Sequence, residues 1–148
     1  MNSLVALPIL IPLVAAALML IVRGLVAQRF ISFVALLSSL ATATAVLVEV
    51  WRTSDVVVSR LGGWPGSFAI TLVSDGLSSV LVVVALVVTT TVLLFAVGQQ
   101  TSDEHSPYYH PVYMALAAGI SQAFLAGDLF NLFVAFEVLL MASYVLLT

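Results

Sequence analysis

Residues 129–148 read LFNLFVAFEVLLMASYVLLT, a run that is almost wholly apolar apart from one acid, Glu137. A helix of about twenty apolar residues is long enough to cross the hydrocarbon core of a bilayer. At a rise of about 1.5 Å per residue, Glu137 lies about 12 Å along this helix, close to the middle of the membrane. A carboxylate there costs about 2.5–3.5 kcal/mol, and such residues usually face a protein interior or a water path. The run therefore predicts a membrane protein that moves ions or protons.

The composition of the whole chain also predicts a membrane protein. Of 148 residues, 63% are hydrophobic and 7% are charged, which leaves too little polar surface to cover a water-soluble globule. There is no cysteine, so disulfides, thiolate metal sites and cysteine nucleophiles are excluded. The sequence contains no nucleotide-binding fingerprint and no nucleophile elbow. Transport by such a protein would draw its energy from a gradient or from a partner.

Apolar windows predict a single transmembrane region of five helices, near residues 3–22, 30–50, 71–97, 111–127 and 129–148. The fourth is the shortest, because Pro111 suits a helix start and Gly127 suits a helix end. Between the second and third helices, Val56-Val57-Val58 and Phe68-Ala69-Ile70 are two β-prone runs separated by turn residues. This pattern predicts a small β-hairpin outside the membrane. The predicted fold class is therefore an all-α membrane protein with one hairpin.

The four basic residues are all arginines, and they divide equally between two loops. Because they form no cluster, nucleic acid is not predicted as a partner. Arg23 and Arg29 lie in a very short first loop without acids, whereas Arg52 and Arg60 lie in a second loop that also contains acids. Since cytoplasmic loops are enriched in positive charge, we expect the first loop in the cytoplasm and the N-terminus outside the cell.

The residues that share a helical stripe with Glu137 are Phe130, Phe133, Met141 and Tyr144. Of these, only Tyr144 can form a side-chain hydrogen bond, so we expect it to be an accessory residue. Nothing within this helix can neutralise the acid. Glu137 is therefore expected to be protonated or to pair with a group from another helix. The alternative role is structural, as a protonated acid bonded to a neighbouring backbone.

Three further polar residues lie at predicted helix starts. Asp128 precedes the fifth helix, where its carboxylate can accept from the free amides of the first turn, so we predict a helix N-cap. Asn131, one turn later, is expected to bond to another helix. Asp75 is placed in the first turn of the third helix, with Ser78 and Ser79 on the same face. It is either a favourable anion at a helix N-terminus or a contributor to an ion access path.

Small residues recur every four positions along the fourth helix, at Ala115, Gly119, Ala123 and Gly127. One face of this helix is therefore flat and can approach another helix closely. We expect this packing to hold the fifth helix firmly enough to aim Glu137.

The two histidines, His105 and His110, lie near Asp103 and Glu104 in a polar segment. Their spacing matches no established ligand pattern, so we predict neither a metal site nor a bound cofactor. Both histidines are expected to be solvated loop residues.

The segment that ends at Glu137 reads Ala126-Gly127-Asp128-Leu129-Phe130-Asn131-Leu132-Phe133-Val134-Ala135-Phe136-Glu137, and Ala142-Ser143-Tyr144 follow it. It closely resembles the D subunit of the Mrp-type multisubunit Na+/H+ antiporters. The stretches from Leu4 to Pro12 and from Leu61 to Asp75 are similar to that family's first helix and to its second loop entering the third helix. The resemblance runs through the whole chain.

The resemblance implies that Glu137 is the proton-handling glutamate of the fifth helix, which works with a lysine on a later helix. Subunits of this family have about fourteen helices, whereas this chain has five predicted helices and no lysine. The resemblance therefore implies the N-terminal portion of an antiporter subunit. The expected partners are the other subunits of a hetero-oligomeric complex. The expected transported ions are protons and a monovalent cation, of which Na+ is the first candidate. The expected location is a bacterial plasma membrane.

Two alternative functions remain open. The family is homologous to the membrane arm of the NADH:quinone oxidoreductase, so the chain could be a proton-pumping subunit of a redox enzyme. It could also be a scaffold that moves no ions and only assembles partners through its small-residue face.

Overall fold

The computed structural model describes residues 4–61, 70–99 and 106–148. A 3₁₀ turn (Leu4–Ala6) leads into α1. The helices are α1 (Leu7–Ile21), α2 (Leu25–Thr53), α3 (Gly76–Gln99), α4 (Tyr109–Leu125) and α5 (Leu129–Leu147). The strands are β1 (Val57–Leu61) and β2 (Ile70–Ser74). The predicted fold class, five helices with a small hairpin, is confirmed.

Four segments of the described chain are long and apolar enough to cross a membrane: Leu4–Ile21, α2, α3 and α5. Helix α4 has 17 residues and spans about 25 Å, somewhat less than a bilayer core of about 30 Å. It lies two residues closer to the N-terminus than the predicted helix near 111–127.

Helix α2 begins at Leu25, before the predicted start at residue 30. The polar residues Gln28 and Arg29 bounded the apolar window, yet the helix includes both. Gln28 is buried, and its Nε2 donates to the carbonyl oxygens of Met19 and Val22 at 3.0 and 2.9 Å. These carbonyls lie at the end of α1, where a helix leaves acceptors without partners. A tertiary contact therefore explains why a polar residue belongs to this helix.

The predicted start of the third helix at residue 71 is wrong. Ile70–Ser74 form β2, which pairs antiparallel with β1 in a register from Val57↔Ser74 to Leu61↔Ile70, and α3 begins only at Gly76. Leu72 and Ser74 are buried on one side of the strand. A short apolar run before a helix does not reveal by composition whether it continues the helix or pairs as a strand. The predicted strand residues Phe68 and Ala69 lie outside the described residues.

Helices α1 to α4 form a ring in which each helix contacts the next and α4 returns to α1. The large side chains buried inside this ring include Met19, Leu36, Leu86 and Met114. Helix α5 lies outside the ring and packs on α4. Only Asn131, Ala135 and Ala142 of α5 are buried, so one narrow face holds the helix that carries Glu137.

Candidate functional site

Glu137 lies in a groove of about 580 Å³ between α1 and α5, with α4 between them. The residues that line the groove are Ala16, Ala17 and Leu20 of α1, Pro111, Val112 and Ala115 of α4, and Glu137, Val138, Met141, Ala142 and Val145 of α5. Every one of them except Glu137 is apolar. Within the described part of the chain, no hydrogen bond or ion pair reaches the Glu137 carboxylate. Glu137 is therefore the one acid among the residues that line this groove, and its side chain is exposed.

The other residues of the predicted stripe on α5 have largely accessible side chains. Phe130 is 73% exposed, Met141 65% and Tyr144 68%, and Phe133 is also exposed. The Tyr144 side chain makes no hydrogen bond to Glu137 among the described residues. Met141 lines the groove with Glu137, whereas Tyr144 does not. An accessory role for Tyr144 stays a prediction.

The small residues of the fourth helix have different neighbours. A Cβ atom on Gly119 would lie 3.2 Å from side-chain atoms of both Val138 and Leu139, so α5 crosses α4 closely at this point. Val138 is the residue that follows Glu137, so this close approach lies next to the acid along α5. Ala115 lines the groove itself. The described contacts do not explain why a small residue stands at Ala123.

Gly127 is not part of the helical stripe, because α4 ends at Leu125 and Ala126 is extended. Ala126 forms an isolated antiparallel bridge with Leu72 of β2, and the Gly127 N–H donates to the Thr71 carbonyl at 2.8 Å. A Cβ atom on Gly127 would lie 2.6 Å from Val73 Cγ2 and 2.9 Å from the Thr71 oxygen. The helix end that the periodic spacing predicted, near residue 127, is therefore too late. The glycine instead allows the link between α4 and α5 to lie against the hairpin.

Asp128 is the N-cap residue of α5 and joins this helix to the hairpin. Its Oδ1 accepts from the backbone N–H of Asn131 at 2.7 Å, and its Oδ2 accepts from the backbone N–H of Thr71 at 3.2 Å. The carboxylate thus satisfies an amide of the first turn of α5 and at the same time contacts β2. Asp128 fixes where α5 begins relative to the hairpin.

Asn131 is buried and extends this link to α4. Its Oδ1 accepts from Gln122 Nε2 at 2.6 Å, and its Nδ2 donates to the Thr71 carbonyl at 3.4 Å. The sequence indicated Asn131 as an interhelical partner but did not indicate Gln122. β2 and α4 together therefore hold the first turn of α5, the helix that carries Glu137.

Replacement of Asp128 by alanine is expected to lower the stability of the assembled protein by about 1–2 kcal/mol, because an N-cap acceptor is lost. The measurement is the thermal unfolding midpoint of the purified complete subunit in its complex. Asp128→Asn retains one capping oxygen, so it should lose clearly less. Equal midpoints for the alanine variant and wild type would contradict the link between α5 and the hairpin.

Asp75 lies between β2 and α3, one residue before the helix and not within its first turn. Its Oδ1 accepts from the Ser78 N–H at 2.7 Å, and the Ser78 hydroxyl accepts from the Asp75 N–H at 2.9 Å. The Ser79 hydroxyl donates to the Asp75 carbonyl. This reciprocal arrangement is a capping box. Asp75 does not line the groove of Glu137, so a role in ion access stays a prediction.

The pH dependence of Asp75 follows from this cap. Hydrogen bonds from Ser78 lower the pKa of Asp75 below its ordinary value of 3.8. The stabilisation is therefore fully present above pH 3.8 and is lost as the pH falls through the lower, folded-state pKa. We expect wild type to exceed Asp75→Asn in thermal midpoint at neutral pH, and this difference to shrink in acid. Ser78→Ala should weaken the pH dependence, and a difference that does not change with pH would contradict it.

His110 is the residue that the sequence placed wrongly. It is the second residue of α4 and is fully buried, not solvated. Its ring Nδ1 lies 3.0 Å from the Ser32 hydroxyl oxygen of α2. The spacing from His110 to the buried residues Tyr113, Met114 and Ala117 follows the period of one helix face, a signal that could have identified its burial. Asp103, Glu104 and His105 lie outside the described residues, and the described ones contain no cluster of three potential metal ligands.

Comparisons with known proteins identify relatives of this chain. The chain is 42% identical over 148 residues to the D subunit of the Na+/H+ antiporter of Alkalihalophilus pseudofirmus, an alignment that covers 99% of this chain and 30% of that protein. A chain of the Mrp complex from Dietzia sp. DQ12-45-1b matches with a TM-score of 0.86 and 31% identity, over 97% of this chain and 27% of that chain. No protein-family model matches.

A third match is to the membrane-bound sulfane sulfur reductase, an archaeal respiratory membrane complex. The TM-score is 0.84 at 21% identity, over 98% of this chain and 30% of that chain, so this likeness shows the fold alone. The chain spans about 30% of the length of the curated relative that it matches. The resemblance seen in the segment around Glu137 is confirmed. The chain is a multi-pass membrane protein and is homologous, over its whole length, to the D subunit of the Mrp-type Na+/H+ antiporters.

Proposed function

We propose that this chain forms part of a subunit of a monovalent cation/proton antiporter, and that Glu137 binds and releases the transported proton. The observation that carries the proposal is that Glu137 lines a groove whose other lining residues are all apolar. The 42% identity to an Na+/H+ antiporter subunit supports the class of transport.

In the proposed cycle, Glu137 alternates between the neutral acid and the carboxylate. An ionised carboxylate among apolar walls needs an opposite charge or water, whereas the protonated acid does not. A cationic group that approaches the groove would therefore drive release of the proton, and its retreat would drive uptake. This chain contains no lysine, so a lysine in this role would belong to another part of the complex.

Two contacts of α5 with the rest of the protein would fix the position of Glu137. The contact of Gly119 with Val138 and Leu139 sets the separation of α4 and α5. The Asp128 cap sets the start of α5 against β2. These residues act by positioning the acid and do not bind the proton themselves.

The proposal includes the surroundings of the chain. The partners are other subunits of a hetero-oligomeric complex, and the cation exchanged is Na+, as the name of the 42% identical relative suggests. The membrane is the plasma membrane. The link between α1 and α2, which carries Arg23, lies in the cytoplasm, and the N-terminus lies outside.

The test is a transport measurement on the complete complex in sealed vesicles. Addition of Na+ to vesicles with a preformed proton gradient is expected to collapse that gradient, as reported by a pH-sensitive dye. K+ and choline in the same assay measure cation selectivity. A gradient that no monovalent cation collapses would overturn the proposal.

A redox-coupled pump is the second candidate, because the same fold occurs in a respiratory membrane complex. Such a protein would move protons only when a reductant and a quinone are added. In the vesicle assay, proton movement that requires NADH or another electron donor, and does not change when Na+ is added, would favour this candidate over the antiporter.

A further inference from the structure

A buried polar cluster joins α1, α2 and α4 at the end of the bundle where α4 begins. His110 and Ser32 are both fully buried, and the imidazole Nδ1 lies 3.0 Å from the Ser32 hydroxyl oxygen. The same oxygen lies 3.4 Å from the sulfur of Met19. Gln28, one turn before Ser32, donates to the Met19 carbonyl. Among the described residues, a hydroxyl therefore lies at hydrogen-bond distance from a titratable ring, and a thioether and an amide belong to the same cluster.

Aromatic rings cover part of the histidine. The ring of Tyr109 meets that of His110 edge to face, with centroids 5.4 Å apart, and stacks on Tyr113 at 5.7 Å. The Tyr113 hydroxyl donates to the Thr89 carbonyl of α3 at 2.6 Å, so it is engaged elsewhere.

Few ionisable groups lie on the elements that surround His110. Helices α1 and α3 have none. The ionisable residues of the other helices are Arg29, Glu49 and Arg52 on α2, Tyr109 and Tyr113 on α4, with Tyr108 directly before it, and Glu137 and Tyr144 on α5. Asp103, Glu104 and His105 precede α4 in the sequence and lie outside the described residues.

We propose that His110 is a second proton-binding site of this transporter, with Ser32 as its hydrogen-bond partner. This inference rests on the proposed function. A proton taken from water onto Nδ1 turns that nitrogen from an acceptor into a donor, and the Ser32 hydroxyl changes from donor to acceptor in this hydrogen bond. A serine hydroxyl suits both states, because it can donate to the neutral ring or accept from the protonated one. When it accepts, its own hydrogen can turn to the Met19 sulfur.

The position of the cluster links it to the groove of Glu137. Pro111 and Val112, the next two residues of α4, line that groove. Met19 lies between Ala17 and Leu20 of α1, which also line it. The histidine cluster therefore lies on the same turns of α1 and α4 as one end of the groove, but faces α2. An ionisable residue enclosed within a membrane bundle is by default a candidate for such a role.

The decisive variant is His110→Asn in the complete subunit, within its complex. The asparagine amide can still bond to Ser32 near the Nδ1 position but does not bind a proton. We measure cation-driven proton transport over about pH 5.5–8.5, the range in which imidazole titrates. The expected result is the loss of one ionisation from the pH profile, with assembly retained. An assembled variant with the wild-type profile would overturn the inference.

Ser32→Ala is the second variant and remains informative if His110→Asn does not assemble. It keeps the imidazole and removes its partner, so the corresponding inflection should move along the pH axis. Its matched control is Ser121→Ala, since Ser121 is equally buried but donates only to the Ala117 carbonyl of its own helix at 3.0 Å. Equal profiles for the two serine variants would overturn the inference.

The two proposals fail separately. If the wild-type complex shows no cation-driven proton movement, the proposed function fails. If transport is present and depends on Glu137, while His110→Asn leaves the pH profile unchanged, only the role of His110 is refuted.

Discussion

Replacement of Glu137 by glutamine in the complete subunit is expected to lower cation-driven proton transport by about 100-fold or more, the effect typical of removing a positioned proton-transfer group. Glutamine has nearly the same size and shape but does not bind a proton. Because the acid makes no hydrogen bond or ion pair among the described residues, its removal should leave the bundle intact. The measurement is the dye-based vesicle assay, with assembly checked by size-exclusion chromatography.

Met141→Leu is the matched control for this substitution. Met141 lies one turn after Glu137 and lines the same groove, so the change keeps the volume and the apolar character of the wall. It should transport at the wild-type rate. Transport by Glu137→Gln near the wild-type rate would exclude Glu137 as the proton carrier. If Glu137→Ala also transported normally while Gly119→Leu broke the complex, the scaffold alternative would hold.

Replacement of Gly127 by alanine is expected to destabilise the protein by about 1–3 kcal/mol through overpacking, and to reduce the yield of assembled complex. The new Cβ atom would lie 2.6 Å from Val73 Cγ2 and 2.9 Å from the Thr71 carbonyl oxygen. A side chain can rotate away, but a backbone oxygen within a paired strand cannot. The measurements are the thermal midpoint and the fraction of subunit that elutes with the complex.

Two other glycines provide a graded control. Gly119→Ala would place its Cβ 3.2 Å from flexible side-chain atoms of Val138 and Leu139, so a smaller loss is expected. Gly98→Ala would meet no atom of the described residues within 4 Å and lies in α3, so it should be neutral or slightly stabilising. The expected order of damage is Gly127, then Gly119, then Gly98. Equal midpoints for the Gly127 and Gly98 variants would contradict the close contact of this link with the hairpin.

The number and approximate extent of the helices could be predicted because the length of an apolar run is a local property of the sequence. The same holds for the N-cap position of Asp128, since capping depends on residues within one turn. Helix ends were less predictable. Gln28 looked like a boundary, and Ile70–Ser74 looked like the start of a helix, because their partners lie in α1 and β1, distant in sequence.

The sequence by itself determined that this is a membrane protein of five helices with one acid deep in the last. The reason is that the composition and spacing of apolar residues are enough to identify helices that are buried in lipid. Only the tertiary structure decided what surrounds the acid and what else is buried. The groove of Glu137 is built from three helices, and Gly127 is confined by a strand more than fifty residues earlier. The hydrogen-bond partner of His110 in the bundle is Ser32 of α2. Such contacts join residues far apart in the chain, and no local pattern encodes them.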